Sequence, residues 1–241
     1  MSLIIAYIAG KDGKYDQRLH IDEYSKKEHR GKIKCSYGHD LIAKKGEKKV
    51  HHFAHRKKAT NDDCSRLTGL WHLGWQYRLE DKYLEIRIKK EGKLHIADAL
   101  CNNRVIEFQK SVIGKDVIKQ REKFYGKKLV WIFCCEMVDI VVERQEDDLI
   151  EFYWVKGSKY LLCAKRLTFL DFGKQGLIEM IKVNRGKNRI IGRYWHLEDV
   201  DKLLFDGCLK EGYDKREKRP KYKFKKHSSE EEVKKFCEGF K

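Results

Sequence analysis

The chain has little that breaks secondary structure and nothing that marks a membrane or secreted protein. Proline occurs once, at Pro220, and no Gly/Ser-rich linker is present, so domain boundaries have to be inferred from changes in pattern. No run of eighteen apolar residues occurs, which predicts no transmembrane helix. The stretch MSLIIAYIAGKDG lacks the basic segment and cleavage site of a signal peptide. P-loop, G-x-G-x-x-G and Ser-His-Asp signatures are also missing, so ATP-driven and acyl-transfer chemistry are not predicted.

The cysteines are scattered rather than arranged as a disulfide framework. Several of the eight lie inside apolar, strand-like runs. This spread favours a reducing, intracellular compartment with buried thiols and one metal site, and it does not distinguish cytoplasm from nucleus.

Acidic residues are outnumbered. Lys and Arg total 54 against 37 Asp and Glu, giving a formal charge of +17 and a pI near 9.4. Such a surplus favours a polyanionic partner, because each neutralised phosphate releases condensed counterions. No amphipathic basic helix points to a membrane, so a nucleic acid, DNA or RNA, is the expected partner. A generally basic surface would give the same total.

The apolar pattern predicts an α/β fold. LIIAYIA followed by GKDG predicts a strand and a hairpin turn at Asp12-Gly13. Helical spacing predicts a helix over residues 68–80, followed by three strands, a helix over 114–125 and a buried strand over 129–135. This order predicts a central mixed sheet flanked by helices. Four segments are expected: a β-rich zinc-binding-like module (1–66), a nuclease-like core (67–140), an α/β extension (141–212) and a basic tail with a short helix (213–241).

The segment HIADALCNNRVIEFQKS, residues 95–111, is the most informative. Asn102-Asn103 predicts a two-residue hairpin turn, since Asn tolerates the positive φ that such turns need. That register sets Asp98 opposite Glu107 on one face of the sheet, with Cβ atoms roughly 5 Å apart. Gln109 falls on the same face.

Like charges placed directly opposite destabilise a sheet, and a divalent cation is the natural compensation. Mg²⁺ is typically held by one or two carboxylates together with phosphate oxygens of a substrate. The hairpin therefore suggests a metal site. An exposed hairpin with solvated carboxylates, or carboxylates paired with surface lysines, is the alternative.

Three parts of the sequence resemble the nuclease domain of the competence protein CoiA-like family. HIADAL and VIEFQKS, followed by REKFY and LVWIF, are similar to its ADV, IE-x-Q-x-S and R-x-x-x-Y motifs ahead of an apolar strand. WHLGWQ is similar to the W-H-x-x-W-K of the preceding helix. KIKCSYG and KKVHHFAHRKKATNDDC resemble the zinc-finger-like N-terminal region. The resemblance covers roughly residues 4–135.

This resemblance implies a restriction-endonuclease-like, PD-(D/E)XK fold that cuts or processes DNA with Mg²⁺ or Mn²⁺. Asp98 and Glu107 would ligate the metal. Gln109 would take the place of the superfamily's lysine, and His72 would face the site from the first helix. The expected nucleic-acid contacts are Arg121, Arg78 and Lys115.

The same resemblance implies structural zinc. The family's second cysteine position is occupied here by Gly38, and His39, one residue later, can replace it. The predicted ligands are Cys35, His39, His55 and Cys64, with His52 in reserve. Unrelated polar residues in a basic loop, or a relative that has lost the metal, are the alternatives.

Two positions depart from the family pattern. Gln76 stands where many relatives have lysine, and Arg78 or Lys82 are candidate replacements. The acid expected on the first helix is open between Glu80 and Glu85, of which Glu85 falls in a strand-like run.

The sequence thus predicts a Mg²⁺-dependent endonuclease or DNA-processing nuclease that hydrolyses phosphodiester bonds. Two other functions fit the same residues. One is a catalytically inactive nucleic-acid-binding protein that retains the fold, and the other is a recruitment module whose basic tail engages a partner. Such nucleases often dimerise to cut both strands, so a homodimer is a further expectation.

Overall fold

The computed structural model describes residues 2–10, 12–35, 37–46, 51–56, 70–110, 112–156 and 159–211. The chain divides into two compact units. The first, here the N-terminal unit, runs to Leu100 and includes Cys208–Glu211; the second, the C-terminal unit, comprises Cys101–Gly207. The four segments expected from the sequence stay a prediction. Cys64 and the basic tail lie outside the described residues.

The N-terminal unit begins with short strands. In chain order its first elements are β1 (Ser2–Leu3), β2 (Ile5–Ala9), β3 (Tyr15–His20), α1 (Lys26–His29), β4 (Leu41–Lys44) and β5 (His52–His55). β2 and β3 form a hairpin, and β5 pairs with β1 and β4. The turn at Asp12-Gly13 is confirmed, and Gly13 supplies the positive φ (77°) that L side chains rarely adopt.

The remaining elements of the N-terminal unit are one helix and two strands: α2 (Leu70–Gln76), β6 (Leu84–Lys90) and β7 (Lys93–Cys101). Periodicity extended the helix to Glu80, but it ends at Gln76. Leu79 instead forms a β-bridge with Leu209, and the Glu80 N–H donates to the Cys208 carbonyl. A tertiary contact therefore overrides the local pattern.

The C-terminal unit supplies most of the sheet. Its elements are β8 (Arg104–Gln109), α3 (Lys115–Tyr125), β9 (Leu129–Cys134), β10 (Asp139–Glu146), β11 (Leu149–Lys156), β12 (Leu167–Asp171), β13 (Leu177–Asn184), β14 (Arg189–Trp195) and α4 (Leu197–Phe205). β8, β9 and β12 run parallel to one another, and the others pair antiparallel.

The fold is mixed α/β, with a nine-stranded sheet in the order β10-β11-β14-β13-β12-β9-β8-β7-β6. Large apolar side chains fill the core of the C-terminal unit; Trp131 and Trp154 are fully buried. Burial makes Trp154 a core residue rather than a stacking surface for bases. Among the described residues, none of the helices has both the length and the apolar character needed to cross a bilayer.

Candidate functional site

The predicted hairpin turn is confirmed. β7 ends at Cys101, β8 begins at Arg104, and both intervening asparagines have positive φ, 50° at Asn102 and 61° at Asn103. Two left-handed residues in succession are the geometry that lets a two-residue turn follow the twist of a β-hairpin. Which residue of β8 faces Asp98 stays a prediction.

Asp98 lies in β7 beside a histidine of α2. The Nε2 atom of His72 is 3.5 Å from Oδ1 of Asp98, and both side chains are largely buried. Gln76 follows His72 by four residues, so the two project from one face of the helix. The helix thus directs an imidazole and an amide toward this part of the sheet, as expected for His72.

Glu85 is the second acid of this region. Antiparallel pairing aligns Leu84 with Ala99, and the same register sets Glu85 opposite Asp98. Its carboxylate is hydrogen-bonded by the Gln76 side chain and, at 3.4 Å, by the backbone N–H of Ile4. Glu85 is buried, and its φ of 49° is left-handed. That conformation costs an L residue about 1–2 kcal/mol.

The environment of Glu85 disfavours a lone negative charge. Burial raises the pKa of its carboxyl to about 8, and the Asp98 carboxylate adds to the rise. The hydrogen bonds from Ile4 and Gln76 and the charge of Arg18 act in the opposite direction. A proton on Glu85 or a divalent cation bound by both acids would relieve the repulsion between them.

We call His72, Gln76, Glu85 and Asp98 the carboxylate cluster. The sequence predicts Asp98 and His72 and leaves the further acid open between Glu80 and Glu85. Glu80 is 40% exposed and pairs with Lys82 at 2.7 Å, whereas Glu85 is buried opposite Asp98. The sequence contains a signal for Glu85, because it lies on the strand that pairs with the strand of Asp98. The burial of Glu85 is visible only in the structure.

Glu107 differs from the expectation. It lies buried in β8 of the C-terminal unit and forms an ion pair with Arg121 of α3. A carboxylate compensated by a guanidinium has no electrostatic need for a metal ion. Like charges face each other at Glu85 and Asp98, whereas Glu107 has a counter-charge within its own unit. Glu107 as a metal ligand stays a prediction from the sequence. Gln109 is buried at the end of the same strand.

The three residues expected to contact nucleic acid lie in different environments. Arg78 is 5% exposed, and its guanidinium lies 4.6 Å from the ring centroid of Trp75. Arg121 is engaged by Glu107. Neither guanidinium is presented to solvent for a phosphate, because each is held inside its own unit. Lys115, at the start of α3, is exposed and stays a candidate.

A second group of ligating side chains lies in the N-terminal unit. Cys35, His39 and His55, here called the Cys/His cluster, place one ligand atom each within 4.8 Å of one another. Cys35 Sγ accepts hydrogen bonds from the backbone N–H groups of Tyr37 (3.4 Å) and His39 (3.3 Å). Gly38, with φ 88°, allows the tight turn that directs these two N–H groups at the sulfur. N–H groups directed at sulfur stabilise the thiolate form, which is the form that ligates metals.

The fourth ligand is not settled by this geometry. Cys64, the predicted one, lies outside the described residues. His52, held in reserve, occurs three residues before His55 in β5 and so projects from the opposite face of the strand. His52 is therefore not favoured as a ligand, and Cys64 stays the predicted one.

Comparisons of the chain with protein-family models, with curated proteins and with solved structures found no match. Membership of the CoiA-like family stays a prediction, made on the motifs quoted above. The two clusters are described by the geometry of this chain alone.

Proposed function

We propose that this chain is a metal-dependent nuclease that hydrolyses phosphodiester bonds of DNA at the carboxylate cluster. One observation carries the proposal: two acids and an imidazole from α2, β6 and β7 converge within one compact unit, with His72 at 3.5 Å from Asp98. A carboxyl group with a strongly raised pKa beside a second acid, as at Glu85, is typical of functional sites.

The residues fit a Mg²⁺ or Mn²⁺ ion. Asp98 and Glu85 offer the carboxylate oxygens that these hard cations prefer. When bound, the ion would polarise the phosphoryl oxygen and lower the pKa of a coordinated water. The raised pKa of Glu85 is consistent with a site whose two acids are compatible only once a cation is present.

The remaining side chains have distinct roles in this proposal. His72 is the group placed to accept or return a proton, and Asp98, 3.5 Å away, orients its ring. Gln76 donates to Glu85 and holds that carboxylate in place. Gln109 belongs to the C-terminal unit, and its role as an uncharged amide that orients the attacking water stays a prediction from the sequence.

We further propose that the Cys/His cluster binds structural zinc, with Cys64 as the fourth ligand. Thiolate and imidazole ligands suit tetrahedral Zn²⁺. The surrounding segment is polar, so a bound ion would supply stability that apolar burial cannot. Metal analysis of the purified chain should find one zinc per molecule, lost in Cys35→Ser and retained in Cys163→Ser; zinc retained in Cys35→Ser would contradict the assignment.

The nuclease proposal is tested with purified chain, single- and double-stranded DNA, and Mg²⁺ or Mn²⁺. We expect cleavage by the wild type and a fall of at least about 100-fold in Asp98→Asn, because the ion loses a charged ligand. Asp116→Asn, which changes an exposed aspartate of α3, is the matched control and should cut normally. Cleavage that persists unchanged in Asp98→Asn would refute the assignment.

A second candidate is a nucleic-acid-binding protein that retains the fold without cutting. The Glu107–Arg121 ion pair favours it, because it occupies a carboxylate that the family motif assigns to the metal. Salt-sensitive DNA binding with no cleavage in either metal would select this function over the first.

A further inference from the structure

Glu85 has an unusual backbone for a strand residue. Its φ of 49° lies in the left-handed region, although β6 pairs regularly with β7 on both sides of it. A buried, non-glycine residue keeps such a conformation only where its surroundings enforce it, and such outliers concentrate at functional sites. Something in the N-terminal unit must therefore hold Glu85.

The side chain of Arg18 is placed to do so. From β3 its guanidinium donates to three backbone carbonyls that precede or belong to Glu85: Asp81 at 2.8 Å, Glu85 at 3.4 Å, and Leu84. These carbonyls turn toward one guanidinium because its planar fork offers five donors in fixed directions. Lysine, a point charge on a flexible stem, cannot reproduce this arrangement.

Two neighbours of Arg18 act on the same residue. The Tyr7 hydroxyl donates to the Glu85 carbonyl at 3.5 Å, and the Ile4 N–H donates to the Glu85 carboxylate at 3.4 Å. Both belong to the segment of β1 and β2 that pairs with the rest of the N-terminal sheets. Glu85 thus accepts hydrogen bonds both at its backbone carbonyl and at its side-chain carboxylate.

We propose that Arg18 is a positioning residue for the carboxylate cluster: it fixes the left-handed backbone at Glu85 and so keeps the Glu85 carboxylate beside Asp98. This rests on the proposed function, in which those two acids hold the divalent cation. The β2–β3 hairpin is then part of the site, although none of its side chains belongs to the cluster.

The test measures Mn²⁺ binding to the full chain by electron paramagnetic resonance, with zinc supplied throughout. We expect Arg18→Ala to weaken Mn²⁺ binding by about 10-fold or more and Arg18→Lys by less, since an ammonium can reach only some of the carbonyls. Arg30→Ala removes an exposed arginine of the same unit and should bind as wild type.

Chemical rescue separates positioning from general stability. Low millimolar guanidinium should restore Mn²⁺ affinity in Arg18→Ala by occupying the vacated space, whereas equal sodium chloride should not. At this concentration guanidinium is far too dilute to denature the protein. A purely structural role instead predicts a lower denaturation midpoint in Arg18→Ala with Mn²⁺ affinity unchanged in the molecules that remain folded. If Arg18→Ala does not fold, the intermediate affinity expected of Arg18→Lys is the deciding measurement.

Wild-type affinity in both Arg18 variants, with Asp98→Asn impaired, would overturn the role of Arg18 and leave the proposed function standing. Absence of Mn²⁺ binding by the wild type, or equal binding by Asp98→Asn, would overturn the proposed function itself and the inference with it.

Discussion

Buried carboxylates in this protein are accommodated in three ways. Glu107 pairs with the guanidinium of Arg121. Glu122, also in α3, accepts hydrogen bonds from the backbone N–H groups of Lys165 (2.7 Å) and Arg166 (3.2 Å). Glu85 accepts a hydrogen bond from the Ile4 N–H, yet burial raises the pKa of its carboxyl to about 8. A cation bound beside Glu85 would favour its ionised form.

At the residue scale, the pair of Glu107 and Arg121 gives a stability prediction. Arg121→Met should destabilise the protein by about 3–5 kcal/mol, because it leaves a buried carboxylate without its counter-charge. Chemical denaturation measures the loss. Arg144→Met breaks an exposed pair with Glu146 and should leave the denaturation midpoint close to that of the wild type, because water screens an exposed ion pair. A loss in Arg121→Met no larger than that of the control would show that Glu107 is compensated in another way.

The β2–β3 hairpin and the turn after it contain a buried histidine. His20 is 4% exposed, and Asp22 donates its N–H to His20 Nδ1 at 3.3 Å, so this nitrogen carries no proton. Burial lowers the pKa of His20; Lys210 lowers it further, while Asp81, Asp22 and Glu23 oppose the shift. Burial outweighs the nearby carboxylates, and the folded protein holds His20 neutral.

At the element scale, this predicts a pH dependence of stability. The unfolded chain takes up a proton near the ordinary pKa of 6.5, before the folded one does. Stability contributed by neutral His20 is therefore complete above that pH and declines as the pH falls below it. Melting temperatures between pH 7.5 and 5 should fall more steeply in the wild type than in His20→Asn.

The control for this experiment is His196→Asn, which alters a partly exposed histidine of the C-terminal unit. It should keep the wild-type slope of melting temperature against pH. Parallel curves for the wild type and His20→Asn would show that His20 is not the group responsible.

Elements with a strong local signal were predicted closely. The strand RVIEFQ and the Asn102-Asn103 turn match the structure, because alternation and positive-φ residues are encoded by neighbours in sequence. The helix from Thr68 was overextended, since Leu79 makes a bridge to Leu209 that no local pattern reveals. Little was predicted for residues 141–212 beyond an α/β extension. Two of the strand pairs there have register shifts, at Val142 and at Met180, which interrupt the regular alternation that a sequence pattern can reveal.

At the scale of the whole molecule, charge determines how DNA binding should respond to salt. The formal charge is +17, and residues 215–226 hold eight Lys and Arg against one Glu. If six to ten phosphates are contacted, affinity should fall by about 10³–10⁵ between about 50 and 200 mM salt. Fluorescence anisotropy of labelled DNA measures this dependence.

A chain ending at residue 214 should still bind DNA, with a shallower dependence of log affinity on log salt, because fewer counterions are released. An unchanged slope would show that the basic tail makes no phosphate contacts. Complete loss of binding would assign DNA recognition to the tail rather than to the two units.

The sequence by itself determined the mixed α/β class and the hairpin turn, and it brought forward Asp98, His72 and the Cys/His cluster as candidates, because these depend on alternation, spacing and side-chain chemistry. Tertiary structure set the buried Glu85 opposite Asp98. Other features depend on residues distant in the chain: the ion pair of Glu107 with Arg121, the burial of Arg78, and the hydrogen bond from Arg18 to the Glu85 carbonyl. A buried charge is stable or not according to what packs against it, and only the folded chain sets that.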